Sequence, residues 1–339
     1  MAINKSHKSK VYIAAQRRIL EMKKVLVIRF SSIGDIVLTT PVLRCIKNSF
    51  PEAEIHYITK ASFSFLLQKN PNVDFIHTWE DFVKSPNLIA NLGFDAVVDL
   101  HKNLRSSKVK KVVDARVYSF DKLNIKKWLY VNFKSNIMPD VHIVERYLFQ
   151  LEELGVSYDD KGLDYFYSKE VALPSDLNAN EYFVLVMGAA HATKQIPNEL
   201  FSRIIPKLGS SKLVLLGGKE EREKADALKA KFPELVNYCG SLSLDESAKV
   251  VEHSKAVVTS DTGLMHIAAA FNKKIVVLWG NTTPELGMFP FECDDFKNFE
   301  VANLSCRPCS KIGKKKCPKG HFKCMINQNE SAIADYLLA

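Results

Sequence analysis

Short apolar runs alternate along this chain with longer segments in which apolar residues recur at helical spacing. In the first half the runs predict strands at 24–30, 54–59, 73–78, 94–99 and 116–119. The helical spacing predicts helices at 35–49, 62–69, 82–92, 103–113, 122–133 and 140–154. In the first of them, Pro41 predicts either a kink or the start of the helix proper. Strands separated by helices are typical of parallel sheets that carry helices on both faces. The first half therefore predicts a doubly wound α/β domain.

The second half repeats this order after a looser stretch between Gly155 and Asn180, which predicts a linker. Strands are predicted at 182–187, 212–216, 255–259 and 274–279, and helices at 197–207, 219–231, 244–252 and 264–271. We therefore predict two doubly wound domains that face a cleft, at 22–175 and 176–328. A final helix, at 329–339, is predicted to pack near the domain junction.

Residues 1–21 stand apart from this pattern because they are basic and only loosely amphipathic. The regular alternation begins abruptly after Met22. We interpret the segment either as an extension that contacts an anionic membrane surface or as an upstream start misread as coding. In the second case Met22 is the start of the protein.

The composition predicts a globular protein, with 47% hydrophobic and 25% charged residues. No apolar run approaches the roughly 20 residues that a membrane-spanning helix needs. The N-terminus also lacks the apolar segment of a secretory signal. We therefore expect the chain to remain in the cytoplasm.

The net charge of +9 predicts an acidic partner, which could be a nucleotide, a phosphorylated glycolipid, an anionic membrane or a nucleic acid. Lysines cluster at 108–111, 122–127 and 311–316, although each cluster also fits an ordinary solvated surface. Nucleic acid is the least favoured partner because the sequence lacks RRM, KH and helix-turn-helix patterns.

The segment 257–280 carries the strongest single signal for a ligand. It predicts a strand, a turn at Asp261, Thr262 and Gly263, a helix rich in small residues and a second strand. Gly263 allows a ligand to approach the backbone, and the free N–H groups of the helix favour an anion such as phosphate. The alternative is an ordinary turn in which Asp261 or Thr262 caps the helix.

Three further turns follow predicted strands. Asp35 follows a Gly-containing turn at a predicted helix start, where it could act as a general base or cap the helix. The loop 188–194 ends in Lys194, which fits a phosphate clamp or an exposed lysine. After the strand at 212–216, Glu220 or Glu221 could bind ribose hydroxyls, although acidic residues are common in first turns. No DxD pair that could hold a metal–diphosphate complex is visible.

Together these turns resemble glycosyltransferase family 9, the bacterial lipopolysaccharide heptosyltransferases. The resemblance covers residues 22–339 and rests on the order of VLVIRFSSIGDIVLTTPVL, GAAHATKQIP, and SDTGLMHIAAA with VVLWGNTTP. It implies a GT-B fold of two Rossmann-like domains, with the acceptor on the N-terminal domain and an ADP-heptose donor on the C-terminal domain. It also implies inverting transfer without a metal ion or another cofactor.

The resemblance assigns roles to particular residues. Asp35 matches the proposed general base, and Lys194 matches the lysine near the donor phosphates. Residues implied to bind the donor are Thr193, Lys194, Glu221, Leu242, Asp261, Thr262, Gly263 and His266. Residues implied to bind the acceptor are Ser32, Gly34, His101, Lys102, Asn103 and Arg105. For His266, packing inside the helix layer is the alternative.

The implied partners are an ADP-sugar and an anionic glycolipid of the lipid A/Kdo type, met at the cytoplasmic face of the inner membrane. Nucleic acid is not expected as a partner. Two alternatives stay open at this point. One is another sugar-nucleotide enzyme on the same scaffold, such as an epimerase or a transferase with a different donor sugar. The other is a non-enzymatic nucleic-acid binder.

Four cysteines near the C-terminus form a separate pattern. Cys306 and Cys309 are spaced as CxxC and are followed by Cys317 and Cys324. This spacing could ligate zinc, with His321 as an alternative ligand. It could equally belong to a metal-free structural segment, and we assign no metal from the sequence.

Overall fold

A computed structural model describes residues 22–339, so the predicted extension at 1–21 lies outside the described residues. Internal contacts divide the described chain into two compact units. The first unit comprises 22–122 and 144–160, and the second comprises 123–143 and 161–339. Residues 123–143 and 161–175, which the sequence placed in the first domain, group with the second unit.

The first unit contains a five-stranded parallel sheet in the order β3-β2-β1-β4-β5. Its strands are β1 (Lys24–Ile28), β2 (Glu54–Thr59), β3 (Phe75–Thr78), β4 (Ala96–Asp99) and β5 (Arg116–Ser119). The strand residues are nearly all buried in β1, β2 and β4, because helices cover both faces of the sheet.

The second unit contains a six-stranded parallel sheet in the order β11-β10-β9-β6-β7-β8. Its strands are β6 (Tyr182–Val186), β7 (Lys212–Leu216), β8 (Val236–Asn237), β9 (Ala256–Ser260), β10 (Lys274–Leu278) and β11 (Phe296–Phe299). The short strands β8 and β11 extend the sheet beyond the strands that the sequence predicted.

Thirteen α-helices lie in the described residues. They are α1 (Ile33–Val37), α2 (Thr40–Ser49), α3 (Trp79–Lys84), α4 (Asn87–Ala90), α5 (Leu104–Val112), α6 (Asn124–Phe133), α7 (Ile143–Phe149), α8 (Asn198–Ile204), α9 (Arg222–Lys231), α10 (Leu244–Glu252), α11 (Gly263–Ala270), α12 (Lys323–Ile326) and α13 (Glu330–Leu338). Short 3-10 helices occur at Ala61–Leu67, Glu152–Leu154, Ile205–Leu208, Lys219–Glu221 and Pro284–Leu286.

Several predicted helices are shorter or divided. The helix predicted at 35–49 is two helices, because Pro41 cannot donate a backbone hydrogen bond and lies in the first turn of α2. The helix predicted at 82–92 is also two, since Pro86 separates α3 from α4. The helix predicted at 62–69 is a 3-10 helix. The predicted final helix is present as α13, whose Ile333, Ala334 and Leu337 join the core of the second unit. Its packing near the domain junction stays a prediction.

The register of the strands places the functional turns side by side. In the first unit Ile28 pairs with Asp99, so the turns that follow β1 and β4 are neighbours. In the second unit β9 lies between β6 and β10, and Leu278 pairs with Ser260. The turns after β6, β9 and β10 therefore share one edge of the sheet, where open α/β sheets bind ligands.

Candidate functional site

The turn after β1 fixes the carboxylate of Asp35. Ser32 precedes α1, and its backbone N–H and hydroxyl donate to Asp35 Oδ2 at 3.0 and 2.8 Å. Asp35 Oδ1 lies 2.5 Å from Nη2 of Arg29. The carboxylate is therefore a helix-capping group and half of an ion pair at the same time. Gly34 is buried inside α1.

Arg29 is the partner that the sequence analysis missed. Its guanidinium also donates to the carbonyl oxygens of Ser31, at 2.9 Å, and Leu100, at 2.5 Å, and to the hydroxyl of Tyr147 at 3.1 Å. Burial by itself raises the pKa of Asp35, but the Arg29 charge and the Ser32 hydrogen bonds outweigh it and lower the pKa to about 2. The carboxylate stays ionised throughout the neutral range.

The predicted acceptor segment lies beside this turn, at the end of β4. Asp99 is fully buried, forms an ion pair with Lys110 at 2.7 Å, and accepts backbone hydrogen bonds from His101 and Lys102 at 3.0 and 2.6 Å. The side chain of Asn103 caps α5 by accepting from the N–H groups of Arg105 and Ser106. This segment is therefore fixed by its own hydrogen bonds, and Asn103 has a structural role.

Three side chains of this segment differ in their surroundings. His101 packs edge-on against Phe30 with ring centroids 5.1 Å apart. Burial, together with the charges of Arg29 and Lys122, lowers its pKa to about 4, so the ring is neutral at pH 7. Lys102 Nζ donates to the carbonyl oxygen of Phe120 at 3.0 Å. Arg105 is exposed and lies over the ring of Trp79.

In the second unit, Lys194 and Asp261 form an ion pair. Lys194 Nζ lies 2.6 Å from Asp261 Oδ2, with side chains 14% and 10% exposed. The hydroxyl of Thr282, in the turn after β10, donates to the same carboxylate oxygen at 3.0 Å. The turns after β6, β9 and β10 therefore meet at one small polar cluster, which fixes the lysine ammonium group.

Thr262 and Gly263 begin α11 beside this cluster. The Thr262 hydroxyl accepts from the backbone N–H of Met265 at 3.3 Å, so Thr262 is the helix cap. Gly263 is the first helical residue, and His266 is buried at 2% exposure within the helix. The alternative reading of the turn as a helix cap is thus correct for Thr262, and Asp261 serves the ion pair instead.

Glu221 is also buried, unlike Glu220. Its carboxylate accepts from the backbone N–H of Gly218 at 2.9 Å and from the Gln195 side-chain amide at 3.0 Å. A Cβ atom at Gly188 would lie only 2.9 Å from Glu221 Oε2, so glycine leaves room for the carboxylate in its present position. Glu221 thereby joins the turns after β6 and β7. Leu242, in the segment before α10, is half-buried.

The segment 303–322, which we term the cysteine loop, contacts both sides of this cluster and contains no helix or strand. The Thr193 hydroxyl accepts from the backbone N–H of Lys314 at 2.8 Å. Arg307 donates to the carbonyl oxygens of Gly280 and Thr282 at 2.5 and 3.0 Å, and forms an ion pair with Glu300 at 2.6 Å. The loop therefore holds Thr193, which precedes Lys194, and the turn after β10, whose Thr282 bonds to Asp261.

The four cysteines of the sequence pattern are free thiols, of which Cys324 is buried. Cys306 Sγ lies 3.9 Å from Nε2 of His321. Within residues 22–339 no group of three or more His, Cys, Asp or Glu side chains is arranged to hold a metal ion. Over the same residues no helix is long and apolar enough to cross a membrane.

Several known proteins are similar to this chain in sequence and in fold. The model of the family described as "Glycosyltransferase family 9 (heptosyltransferase)" matches residues 87–321. Lipopolysaccharide heptosyltransferase 1 of Campylobacter coli is 24% identical over 290 residues, 76% of this chain and 84% of the relative. Lipopolysaccharide heptosyltransferase 1 of Escherichia coli strain K12 is 25% identical over 287 residues, 78% of this chain and 89% of the relative.

Solved structures agree in fold. The structure of the E. coli heptosyltransferase WaaC with ADP superposes with a TM-score of 0.68 at 21% identity, covering 93% of this chain and 99% of that one. This chain, with its two parallel sheets, thus has the GT-B fold. With the family match spanning more than half of its length, the chain belongs to glycosyltransferase family 9 and is a glycosyltransferase.

Proposed function

We propose that this protein transfers a heptose from ADP-heptose to the core region of a lipopolysaccharide acceptor of the lipid A/Kdo type. The transfer inverts the anomeric centre and requires no metal ion. The observation that carries the proposal is the largely buried Lys194–Asp261 ion pair beside the N-terminus of α11, in a chain that belongs to the heptosyltransferase family.

The donor diphosphate is the group that this cluster suits. The Lys194 ammonium and the free N–H groups at the start of α11 supply positive charge at one place. Asp261 and Thr282 hold the ammonium group in position, so little reorganisation is needed when charge develops on the leaving ADP. Asp261 itself would repel a phosphate, so we assign it to Lys194 and to sugar hydroxyls.

The absence of a metal requirement follows from the same charges. In metal-dependent glycosyltransferases a divalent ion neutralises the diphosphate of the donor. In this protein a fixed ammonium group and a helix N-terminus perform that task. The sequence contains no DxD pair that would hold the ion. We therefore expect turnover to persist in a chelator.

Asp35 is the proposed general base for the acceptor hydroxyl. Its pKa of about 2 makes it a weak base toward a free hydroxyl. The hydroxyl becomes much more acidic once its oxygen has begun to bond to the anomeric carbon. Asp35 then receives the proton late in the transition state, and the Arg29 charge keeps the carboxylate ionised until that moment.

The acceptor would contact the turns beside Asp35. His101, Lys102 and Arg105 follow β4 in that position, and a neutral His101 can both donate and accept a hydrogen bond. Ser32 already donates its hydroxyl to Asp35, so we assign it to orienting the base. An anionic acceptor at the cytoplasmic face of the inner membrane suits the net charge of +9.

A thermal-shift comparison of ADP, UDP, GDP and CMP, each alone and as a sugar conjugate, tests the donor assignment. We expect stabilisation by ADP species only, because a ligand that binds the folded state raises its melting temperature. The Lys194→Met variant should lose the response to ADP and keep its fold by circular dichroism. A preference for UDP in the wild type would redirect the assignment.

A further inference from the structure

Helix α6 carries an exposed apolar face whose role the proposed chemistry leaves open. Ile125, Trp128 and Phe133 are 77%, 55% and 65% exposed, and Ile137 just beyond the helix is 46% exposed. Trp128 and Phe133 contact each other edge-on, with ring centroids 5.3 Å apart. We call these four residues the Trp128 face. Exposed apolar side chains grouped in this way are unusual on a surface that faces only water.

The opposite side of the helix is attached to the second unit. Tyr130 is buried, and its hydroxyl contacts Thr283 and Glu285, each at 3.3 Å. Just after the helix, Lys134 Nζ donates to the carbonyl oxygen of Pro308 at 2.6 Å. These contacts fix the orientation of α6, so the Trp128 face points outward as a consequence of the fold.

The charged residues of the segment that carries the face have one sign. The segment 122–137 reads KLNIKKWLYVNFKSNI, with four lysines and neither aspartate nor glutamate. Lys126 is half-buried and lies on the helix next to Ile125. Lysine stems of this kind cover apolar surface while the ammonium group reaches toward the surrounding solvent or a headgroup layer.

We propose that the Trp128 face is where this protein binds the surface of an anionic lipid bilayer. Tryptophan and phenylalanine suit the boundary between headgroups and acyl chains, and isoleucine adds apolar area. Lys126 supplies attraction to anionic headgroups, and one such lysine strengthens binding by about fivefold. The absence of carboxylates from 122–137 fits a bilayer better than a protein partner, whose surface would carry both signs of charge.

This inference deepens the proposed function, since it names the surface that brings the enzyme to a membrane-bound acceptor. It depends on that function only for the choice of membrane. Binding to vesicles that contain neither donor nor acceptor tests it separately. Failure of heptose transfer would leave it standing, and failure of vesicle binding would leave the proposed chemistry standing.

The experiment uses the full chain and vesicles of phosphatidylglycerol mixed with phosphatidylcholine, separated by flotation. We expect wild-type protein to float with anionic vesicles and to remain unbound with pure phosphatidylcholine. Trp128→Ser should reduce the partition coefficient by about tenfold, and Lys126→Glu by at least about fivefold. Leu88→Ser is the matched control, because Leu88 is a 68% exposed apolar residue on another helix; it should bind as the wild type does.

A second readout needs no variant. Trp279 is buried and Trp79 is half-buried, so Trp128 is the most exposed of the three tryptophans. Its emission should shift to the blue and be quenched by brominated lipid on binding. Wild-type affinity in Trp128→Ser would overturn the proposal and point to another part of the chain, such as residues 1–21. Equal binding to neutral vesicles, binding only when lipopolysaccharide is added, or no quenching would overturn it as well.

Discussion

At the scale of single residues, Asp35 combines two tasks that usually belong to different groups. Arg29 and Ser32 hold its carboxylate through an ion pair of 2.5 Å and two hydrogen bonds. The same contacts that orient a base also lower its basicity. The proposed mechanism accommodates this because the base acts only after the acceptor hydroxyl has become acidic.

Asp35→Asn tests the base assignment while preserving the shape of the side chain. We expect kcat to fall by at least about a hundredfold, because the amide cannot accept the proton. The dissociation constant for ADP should remain unchanged, since Lys194 and Asp261, which are proposed to bind the donor, belong to the other unit. Isothermal titration with ADP and steady-state kinetics separate the two effects. Loss of donor affinity equal to the loss of turnover would count against the assignment.

Asp35 also gives a pH dependence of stability. Its folded-state pKa of about 2 is below the ordinary value of 3.8, so the unfolded state takes up this proton first. The stabilisation is fully present above about pH 4, amounts to about 2 kcal/mol, and is lost as the pH falls toward about 2. Urea unfolding should show wild type and Asp35→Asn converging in this window. A constant difference between about pH 5 and pH 3 would contradict the ion pair.

Lys194 and Asp261 should behave as one unit. Removing either charge leaves the other largely buried and unpaired, which is more costly than removing both. We expect Lys194→Met and Asp261→Asn each to destabilise the fold, and the double variant to show a coupling energy of about 1 to 3 kcal/mol. Denaturant unfolding of the four proteins measures the coupling. Additive effects would mean that the pair does not form in solution.

At the scale of elements, the cysteine loop is the least regular part of the second unit and contacts its most ordered cluster. Arg307 holds the backbone of Gly280 and Thr282, and Lys314 holds Thr193. Thr282 in turn bonds to Asp261. These bonds link a segment without helix or strand to the Lys194–Asp261 pair, and we expect its sequence to matter for the proposed donor binding.

Arg307→Ala should therefore weaken ADP binding by about tenfold as well as lowering stability, because the Thr282–Asp261 contact loses its support. Arg307→Lys should restore part of the stability and less of the affinity, since lysine cannot donate to two carbonyl groups in the same geometry. Titration calorimetry and thermal unfolding provide the two readouts.

Arg116→Ala is the matched control for this pair of variants. Arg116 forms an ion pair of 2.5 Å with Glu153, but both side chains are more than half exposed. Such a surface pair contributes about 0 to 1 kcal/mol, so this variant should leave ADP affinity unchanged. Equal losses of affinity in Arg116→Ala and Arg307→Ala would show that the effect is not specific to the cysteine loop.

The elements differ in how far the sequence reveals them. Long apolar runs predicted nine of the strands, since both faces of a central parallel strand are buried. The edge strands β8 and β11 were not predicted, because they are short and partly exposed. The apolar spacing does not specify the residue at which a helix begins. The helix boundaries at Pro41 and Pro86 could therefore not be placed from that spacing.

The candidate site was predictable in its positions and not in its partners. Turns after strands could be located, so the positions of Asp35, Lys194 and Asp261 in such turns were predicted, while their roles stay a proposal. Their pairings were missed because Lys194 and Asp261 lie far apart in sequence, and Arg29 follows directly on a strand of the core. Strand order, which sets these pairings, follows from tertiary packing and leaves no local pattern.

At the scale of the whole molecule, the two sheets carry complementary chemistry at the carboxyl ends of their strands. The first unit presents an ionised carboxylate with a neutral histidine nearby, and the second presents a fixed ammonium beside a helix N-terminus. The proposed function uses this division, because the acceptor hydroxyl must lose a proton and the donor diphosphate must be stabilised. In that proposal each α/β unit of the GT-B fold performs one of the two tasks.

Mass spectrometry of a heptose-free lipopolysaccharide acceptor, incubated with ADP-heptose and the enzyme in excess EDTA, tests this account most directly. We expect the acceptor to gain one heptose with wild-type protein and with Arg116→Ala, and to gain none with Asp35→Asn. An unmodified acceptor with the wild type, or modification that appears only when a divalent ion is restored, would contradict it.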